Sequence, residues 1–393
     1  MLIKNIYHPS DSKYKVVIIT LDLHASGPCK RVCQDLKKDF PNIEIEVFAA
    51  AEWSEKPNNL LEAKNAVLES DIIIVNLLFL EEHVKAILPT LKEKRNSCDA
   101  LIGIISDSEI VKLTKMGTLD MSAPESGAMK ILKKLRGSPK PSSESGKKRM
   151  KMLRSLPRIL KYIPGKAQDL RAWFLVMQYW LGGSDDNINS LIRFLLSRYC
   201  KIESWKGGKV AAPLEYPEVG LYHPDLKKKI TNELTDLPKD LNKKFKIGLI
   251  LMRSYILSSD TKHYDQVIKE LEKQGSEVIP VFSGGLDARP AIEKYFIKDK
   301  EVIIDSLISL TGFSLVGGPA YNDSKAAVEV LKKLNVPYLS AHPLEFQTIS
   351  QWAKSEIGLG PIETTMLVSL PEIDGATNPT VFPGREDKID INK

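Results

Sequence analysis

The chain has 393 residues, a formal net charge of +6 and 43% hydrophobic residues, a composition typical of a globular protein with two or three domains. The basic excess is modest, and we interpret the Lys-rich stretches 147–151 and 227–229 as solvated surface, so no nucleic-acid partner is expected. No apolar run is long enough for a membrane span, and four cysteines make no dense disulfide framework, so we expect a reduced, cytoplasmic protein.

The first part of the chain alternates short β-branched runs with amphipathic stretches. Strands are predicted at 16–19, 43–48, 72–75 and 100–105, and helices at 29–40, 59–69 and 81–94. Continuous apolar strands between helices are typical of a parallel sheet that helices cover on both faces. Residues 1–136 are therefore predicted to form an N-terminal α/β domain. A linker or exposed loop rich in Gly, Pro and Ser is predicted at 137–149.

Residues 150–245 are predicted to form a helical segment followed by a Pro-rich connector. The helical stretch around Trp173, Phe174, Tyr179 and Trp180 is apolar nearly all round, which favours burial between domains or against a partner. Its aromatic side chains suit either packing or contact with a flat macrocycle. Ser184 is a candidate helix cap, and the prolines within 212–224 predict an extended connector.

A second α/β unit is predicted over residues 246–393. Its strands are predicted at 247–252, 277–282, 307–316 and 336–339, and its helices at 263–274 and 324–334. The predicted fold class is thus α/β, with two parallel-sheet units joined by a helical segment. Ligands of such sheets bind in the loops that follow the strands, so the functional edge is expected there.

The loops after these strands hold the candidate substrate-binding residues. Paired glycines let the backbone turn tightly or approach a ligand closely. His342 and Glu345 have the spacing of a general-base or metal pair, although such a pair more often makes an ordinary local hydrogen bond. Asp287 stands beside Arg289, as in a surface ion pair. The candidates are Gly284, Gly285, Asp287, Gly317, Gly318, His342, Glu345 and Gln347.

Several common catalytic motifs are missing from the sequence. It contains no P-loop and no Gly-x-Gly-x-x-Gly after a strand, so the chain is not expected to hydrolyse ATP. Gly-x-Ser-x-Gly and His-Glu-x-x-His are absent too. Cys29 and Cys33 lie one helical turn apart with no partner ligands at zinc-site spacing, so we interpret them as packed thiols and predict no metal site.

Four phrases in the second unit resemble the region shared by the large subunits of magnesium chelatase and aerobic cobaltochelatase. They are 278–287 (VIPVFSGGLD), 309–320 (SLTGFSLVGGPA), 343–348 (PLEFQT) and 370–376 (LPEIDGA). Stretches 115–121, 157–172 and 178–184 also resemble this family, and the N-terminal α/β domain is similar to its magnesium branch. The amino-acid sequence of 341–348 and 373–379 is more similar to the form of this subunit that acts in bacteriochlorophyll synthesis.

The resemblance implies a subunit of magnesium chelatase, in the cytoplasm or plastid stroma, that acts in chlorophyll or bacteriochlorophyll biosynthesis and hence in photosynthesis. It implies protoporphyrin IX and Mg²⁺ as substrates. ATP would be used by the partner subunits, which are an AAA+ ATPase subunit and a second small subunit, of which the first is the ATPase. Because members of this family are much longer, the chain is expected to be an incomplete N-terminal part that is inactive alone, and no catalytic residue is assigned.

Two other interpretations remain open from the sequence. One is a cobaltochelatase large subunit that acts with Co²⁺ on a corrin precursor in cobalamin biosynthesis. The other is a non-catalytic module that binds a tetrapyrrole or docks the ATPase partners.

Overall fold

The computed structural model describes residues 13–21, 26–53, 57–122, 157, 160–165, 167–238, 245–284, 287–318, 321–344, 347–382 and 384. It divides into two compact units, Met1–Glu215 and Tyr216–Lys393. The predicted linker at 137–149 lies outside the described residues.

The first unit is built on a six-stranded sheet. Its strands are β1 Tyr14–Thr20, β2 Ile43–Ala49, β3 Ile72–Asn76, β4 Ala100–Ile104, β5 Lys115–Met116 and β6 Leu119–Asp120, in the order β2-β1-β3-β4-β5-β6. The first four are parallel, and β5 and β6 form an antiparallel hairpin at one edge. All residues of β3 and β4 are buried, as expected for strands covered on both faces. The α/β prediction is confirmed. The sheet is mixed rather than purely parallel because it ends in the β5–β6 hairpin, whose strands are too short to leave a periodic pattern in the sequence.

Helices cover both faces of this sheet. They are α1 Ser26–Leu36, α2 Pro57–Glu69, α3 Glu81–Lys94, α4 Ser108–Lys112, α5 Ala167–Gly182 and α6 Asp185–Tyr199. One core joins the sheet to α1, α5 and α6, and a second core joins the opposite face to α2 and α3. The predicted helical segment therefore contributes two helices to the first unit, because the apolar surface of α5 is buried against this sheet. Ser184 caps α6 as predicted, since its hydroxyl accepts a hydrogen bond from the Asn187 amide at 3.3 Å.

The aromatic residues of α5 are part of the core. Trp173 and Phe174 are each 1% exposed, and their ring centroids lie 4.9 Å apart. The indole Nε1 of Trp173 donates to the carbonyl of Gly103 in β4 at 3.0 Å. Of the two roles open from the sequence, the structure assigns packing to these two side chains.

A buried carboxylate fastens the edge hairpin to both helices. Asp169 of α5 accepts hydrogen bonds from the Thr118 amide at 2.8 Å and the Tyr199 hydroxyl at 2.8 Å, and it pairs with Arg198 at 3.2 Å. Gly117 turns the hairpin with φ +55°, where an added Cβ would lie 2.6 Å from the Asp169 carboxylate. Burial opposes ionisation, but these hydrogen bonds outweigh it and hold the pKa of Asp169 below its usual value.

The second unit contains a seven-stranded sheet and two small hairpins. The sheet strands are β7 Val219–Tyr222, β8 Ile230–Thr231, β9 Phe245–Met252, β10 Ser276–Ser283, β13 Ser306–Ser309, β16 Tyr338–His342 and β17 Thr377–Val381, in the order β17-β16-β13-β9-β10-β7-β8. The five strands from β17 to β10 are parallel, whereas β7 runs antiparallel to both of its neighbours, β10 and β8. The hairpins pair β11 Ile297–Lys298 with β12 Glu301–Val302 and β14 Gly317–Gly318 with β15 Tyr321–Asn322.

The helices of the second unit are mostly short. They are α7 Arg253–Leu257, α8 Lys262–Lys273, α9 Arg289–Tyr295, α10 Ser324–Leu334, α11 Ile349–Lys354, α12 Pro361–Glu363 and α13 Leu370–Asp374. A π-helical turn, Thr364–Ser369, joins the last two. The predicted helices 263–274 and 324–334 correspond to α8 and α10.

Two predicted segments of the second unit differ from the structure. The predicted connector 212–224 contains β7, which pairs antiparallel with β10, so the second unit begins earlier than the predicted residue 246. The predicted strand 307–316 ends at Ser309. Beyond it, Gly312 takes φ +68° and the Thr311 hydroxyl accepts from the Phe313 amide at 3.3 Å, which turns the chain out of the sheet.

Candidate functional site

The parallel part of the second sheet has a crevice at the point where its connections diverge. From β9 the chain passes to β10 on one side and later to β13 on the other. The loops that follow these strands therefore separate, and ligands of open α/β sheets bind in such a crevice. A cavity of about 20 Å³ lies there, lined by the end of β9, the loop after β10 and the loop after β13. This volume is far below that of ordinary small-molecule sites.

The loop after β10 is fastened to the loop after β13. The Ser283 hydroxyl donates to the carbonyl of Asp287 at 2.5 Å, and the Ala288 amide donates to the carbonyl of Leu315 at 2.8 Å. Asp287 also forms an isolated bridge with Val316. The phrases 278–287 and 309–320 are thereby brought together at one edge of the sheet.

Asp287 and Arg289 form a bidentate pair within this loop. The Arg289 Nε and Nη2 atoms each lie 2.9 Å from a carboxylate oxygen of Asp287, and the Arg289 amide donates to the same carboxylate at 3.1 Å. The Asp287 side chain is 10% exposed, so the pair is more enclosed than the predicted surface ion pair. The contact with Asp287 raises the pKa of Arg289. The bidentate contact with Arg289 fixes the orientation of the Asp287 carboxylate. Asp287 also lines the cavity.

The candidate glycines serve the backbone of this edge. The Gly284 amide donates to the carbonyl of Glu218 at 2.6 Å, and a Cβ at Gly284 would collide with the Glu218 carboxylate. Gly317 has φ +129°, which favours glycine, and in the short β14 strand it pairs with Asn322 of β15. Gly284 thus permits a close approach between two chain segments. Gly285 lies outside the described residues.

His342 ends β16 and is fully buried. Its Nδ1 lies 3.2 Å from the carbonyl of Pro343, so Nδ1 carries the proton and Nε2 keeps its lone pair. Burial lowers the pKa of His342, so the ring is neutral at pH 7. Among the described residues Nε2 has no hydrogen-bond partner, which makes it a buried proton acceptor. The predicted partner Glu345 lies outside the described residues.

His342 and Asp287 belong to one edge but do not touch the same point. Their strands, β16 and β10, are separated by β13 and β9. At about 4.8 Å per strand, the two strand ends are roughly 14 Å apart. A ligand that contacts both must be large and extended along the edge.

Gln347 holds a neighbouring loop. Its Oε1 accepts from the Gly360 amide at 2.9 Å, and its Nε2 donates to the carbonyl of Gly358 at 3.4 Å. The side chain is 8% exposed. The polar atoms of Gln347 are thus used to position the backbone at Gly358 and Gly360. Among the candidates, Gln347 is a residue that supports the sheet edge.

Buried polar residues that the candidate set omitted lie behind the same edge. Asp374 accepts from the Ser314 hydroxyl at 2.5 Å and from the Leu315 amide at 3.0 Å, which fixes the loop after β13. Tyr338 and Ser340 share the buried face of β16 with His342, and their hydroxyls have no hydrogen-bond partner within the described part of the chain. Burial, with the Asp374 charge, raises the pKa of Tyr338. The alternation of polar residues at 338, 340 and 342 was the available signal in the sequence.

One group of metal-type side chains occurs among the described residues, away from the crevice. The Asp225 amide donates to Nδ1 of His223 at 3.2 Å, so Nε2 carries the proton and faces Glu272 at 3.3 Å. Both ring nitrogens are thus engaged, which does not suit a metal ligand. Cys29 is 1% exposed and burial raises its pKa to about 12, in agreement with a packed thiol.

Two family models match the chain. Residues 15–174 match a family described as a domain of unknown function (DUF3479), and residues 177–393 match the family described as CobN/Magnesium Chelatase. The second match spans more than half of the chain and includes the whole crevice. The chain belongs to the CobN/magnesium chelatase family. The resemblance inferred from the four phrases is confirmed.

The chain is also similar to individual proteins. It is 58% identical over 374 residues to the magnesium-chelatase H subunit of Cereibacter sphaeroides and 60% identical over 374 residues to the protein of that name from Rhodobacter capsulatus. Each alignment covers 95% of this chain but 31% of the relative, so the chain spans about a third of their length. The catalytic subunit of cobaltochelatase from Mycobacterium tuberculosis is 14% identical, with a TM-score of 0.48, over 97% of this chain and 25% of that chain.

The border between the two family matches differs from the border between the compact units. The matches meet between residues 174 and 177, inside α5, whereas the first unit extends to Glu215. Helix α6 and the C-terminal end of α5 thus lie in the chelatase-family match, while the apolar side chains of both helices complete the core of the first unit. Within the described ranges, no helix is long and apolar enough to cross a membrane.

Proposed function

We propose that this chain is part of the porphyrin-holding subunit of a magnesium chelatase, which inserts Mg²⁺ into protoporphyrin IX in chlorophyll or bacteriochlorophyll biosynthesis. The observation that carries the proposal is the 58–60% identity, over 95% of this chain, to the magnesium-chelatase H subunits of two bacteria. Mg²⁺ and protoporphyrin IX are the substrates. The partners are an AAA+ ATPase subunit, which hydrolyses ATP, and a second small subunit, in the cytoplasm or the plastid stroma.

The crevice edge is the proposed contact surface for the porphyrin in this chain. Phe313 and Leu315 line the cavity and offer apolar contact to a flat ring, and Asp287 offers a fixed carboxylate. Gly285, Gly317, Gly318 and Glu345 belong to the same loops and remain in the proposed contact set, whereas Gly284 and Gln347 support the chain around them.

Metal insertion needs oxygen ligands for Mg²⁺, which sheds water reluctantly, and an acceptor for the two pyrrole protons. The neutral His342 has a lone pair on Nε2 that suits a proton acceptor, whereas the Asp287 carboxylate is held by Arg289 and is not assigned as a metal ligand. Because the chain spans only 31% of its relatives, we propose that it binds porphyrin without inserting metal by itself.

Fluorescence titration of the chain with protoporphyrin IX tests this proposal. We expect saturable quenching that a corrin of the hydrogenobyrinic type does not match; tighter corrin binding would replace magnesium chelatase with cobaltochelatase. Asp287→Ala should weaken porphyrin binding about tenfold, through the lost carboxylate and a loosened loop. Asp260→Ala, an exposed change in the same unit, is the matched control. Equal binding by both variants would remove the crevice from the porphyrin site.

A second experiment tests the division of labour. The chain is incubated with protoporphyrin IX, Mg²⁺ and ATP, with and without both partner subunits, and the magnesium porphyrin is followed by its absorption. We expect no product in either mixture. Product formed by the chain alone would contradict the proposal that residues outside this chain are required, and product that needs the partners would place the whole insertion site within it.

A further inference from the structure

A second cavity lies in the first unit, between α5, α6 and the extended segment 208–213. Its volume is about 380 Å³, within the range of small-molecule sites and far larger than the crevice cavity. All of its walls come from residues of the first unit. It is therefore separate from the crevice described above.

Two arginines face this cavity, and no acidic residue lines it within the described part of the chain. Within the described part of the chain, Arg171 makes one hydrogen bond, from its Nε to the carbonyl of Pro157 at 3.0 Å. Arg198 is held in place by Asp169 at 3.2 Å and by the Tyr199 hydroxyl at 3.1 Å. Asp169 offsets the charge of Arg198, so the positive charge at the cavity comes from Arg171. Within the described residues both guanidinium groups keep N–H groups to spare, an arrangement that matches a carboxylate.

The remaining wall is aromatic and apolar. The rings of Tyr179 and Phe194 lie 5.9 Å apart, and Leu175 and Pro213 complete the wall. The Tyr179 hydroxyl donates to the carbonyl of Ala211 at 2.5 Å, which fixes the extended segment against the helices. Burial raises the pKa of Tyr179 to about 12 against the opposing charge of Arg171, so the phenol stays neutral beside a cation. Such a wall suits a flat apolar body.

We propose that this cavity binds a planar apolar molecule through a carboxylate, which Arg171 and Arg198 hold while the flat body packs against Tyr179 and Phe194. Two sources offer this chemistry. One is the propionate edge of a porphyrin, a version that rests on the proposed function and in which the rest of the ring lies outside the cavity. The other is a small aromatic acid that enters completely.

The test uses the full chain and calorimetric titration with three probes, namely protoporphyrin IX, its dimethyl ester and 2-naphthoate. Arg171→Gln removes the charge and keeps a polar side chain. Arg193→Gln is the matched control, because Arg193 lies on α6 and pairs with Asp39 at 2.6 Å outside the cavity. For at least one free acid, we expect Arg171→Gln to raise the Kd about tenfold relative to wild type and Arg193→Gln. The ester should bind all three proteins equally.

The outcomes separate this inference from the proposed function. Arg171-dependent binding of protoporphyrin IX supports the porphyrin source, and Arg171-dependent binding of 2-naphthoate alone supports the small acid. If Arg171→Gln leaves the Kd for protoporphyrin IX unchanged and 2-naphthoate does not bind, the cavity site is overturned and the proposed function stands. If neither acid binds, both proposals fail. Should Arg171→Gln not fold, wild type decides: ester binding as tight as acid binding, with no naphthoate binding, overturns the carboxylate site.

Discussion

The two sheets share a central strand order but treat polar residues differently. In the first sheet the order β2-β1-β3-β4 and in the second the order β10-β9-β13-β16 follow the same doubly wound pattern. The buried polar residues of β1 and β3 come only at the last position, as Thr20 and Asn76. The second sheet also buries polar residues at last positions, as Ser309 and His342, and in addition buries Ser340 inside β16. Burying polar groups costs stability, so the polar residue inside β16 is a feature that β1, β3 and β4 lack.

The largest expected effect tests the core of the first unit. Trp173→Ala should lower the free energy of unfolding of the first unit by about 3–5 kcal/mol, because it leaves a cavity and removes the hydrogen bond to Gly103. Urea unfolding followed by circular dichroism measures it. Trp352→Ala, at a residue 37% exposed in the second unit, is the control and should cost much less. Equal losses would contradict the core role of α5.

The next effect tests the packing behind the crevice. Gly312→Ala should destabilise the second unit by about 2–3 kcal/mol, because φ is +68° and the new Cβ would lie 2.7 Å from Leu367 and 3.0 Å from His342. Gly358→Ala has the matched backbone strain, with φ +76° and nothing within 4 Å, and should cost about 1 kcal/mol. Chemical denaturation of both variants isolates the packing term. A Gly312 loss no larger than the Gly358 loss would show that the edge has room to adjust.

A smaller effect tests the loop after β13. Asp374→Ala should cost about 1–2 kcal/mol, because the Ser314 hydroxyl and the Leu315 amide lose their acceptor. It should also weaken porphyrin binding, since that loop lines the crevice. Glu372→Ala, an exposed change on the same helix, is the control. Unfolding and porphyrin titration are measured together; a stability loss without any binding change would detach this loop from the ligand.

The smallest effect is a pH dependence. Burial lowers the folded-state pKa of His342, so below about pH 6.5 the unfolded chain takes up a proton that the folded chain refuses. Stability from this group is therefore present above about pH 6.5 and falls as the pH drops, by at most about 1.4 kcal/mol per pH unit. His342→Gln should make the unfolding free energy of the second unit depend less steeply on pH.

The matched change in the first unit is His83→Gln, because burial lowers the pKa of His83 as well. Each variant should flatten the slope of its own unit between about pH 6.5 and pH 5, measured by denaturation at each pH. If His342→Gln leaves the pH dependence of the second unit's unfolding free energy unchanged, burial does not lower the pKa of His342 in the folded chain.

The sequence predicted most elements because long apolar runs and amphipathic helices leave a periodic signal. The strand Ile72–Asn76 and the helices Glu81–Lys94 and Ser324–Leu334 were readable in this way. It failed for β7, hidden between prolines, and for the chain after Ser309, where hydroxyl groups and Gly312 turn apolar residues out of the sheet. Such turns depend on local hydrogen bonds that hydrophobic pattern does not encode.

The candidate residues illustrate the same limit. The sequence placed Asp287, Gly317 and His342 at one sheet edge, since strand ends can be counted along the chain. It offered no means to separate His342, whose Nε2 has no hydrogen-bond partner within the described residues, from Asp287 and Gln347, whose polar atoms are bound by Arg289 and by the Gly358 and Gly360 backbone. Which polar atoms are engaged depends on contacts that only the folded chain shows.

By itself, the sequence determined the α/β class, the family and the sheet edge to examine, because these follow from periodicity and from phrases of consecutive residues. Only the tertiary structure decided that α5 and α6 complete the first core, that His342 is a buried neutral base, and that two arginines share a cavity. The physical reason is that burial, tautomer and charge environment arise from contacts between segments far apart in sequence, which no local pattern records.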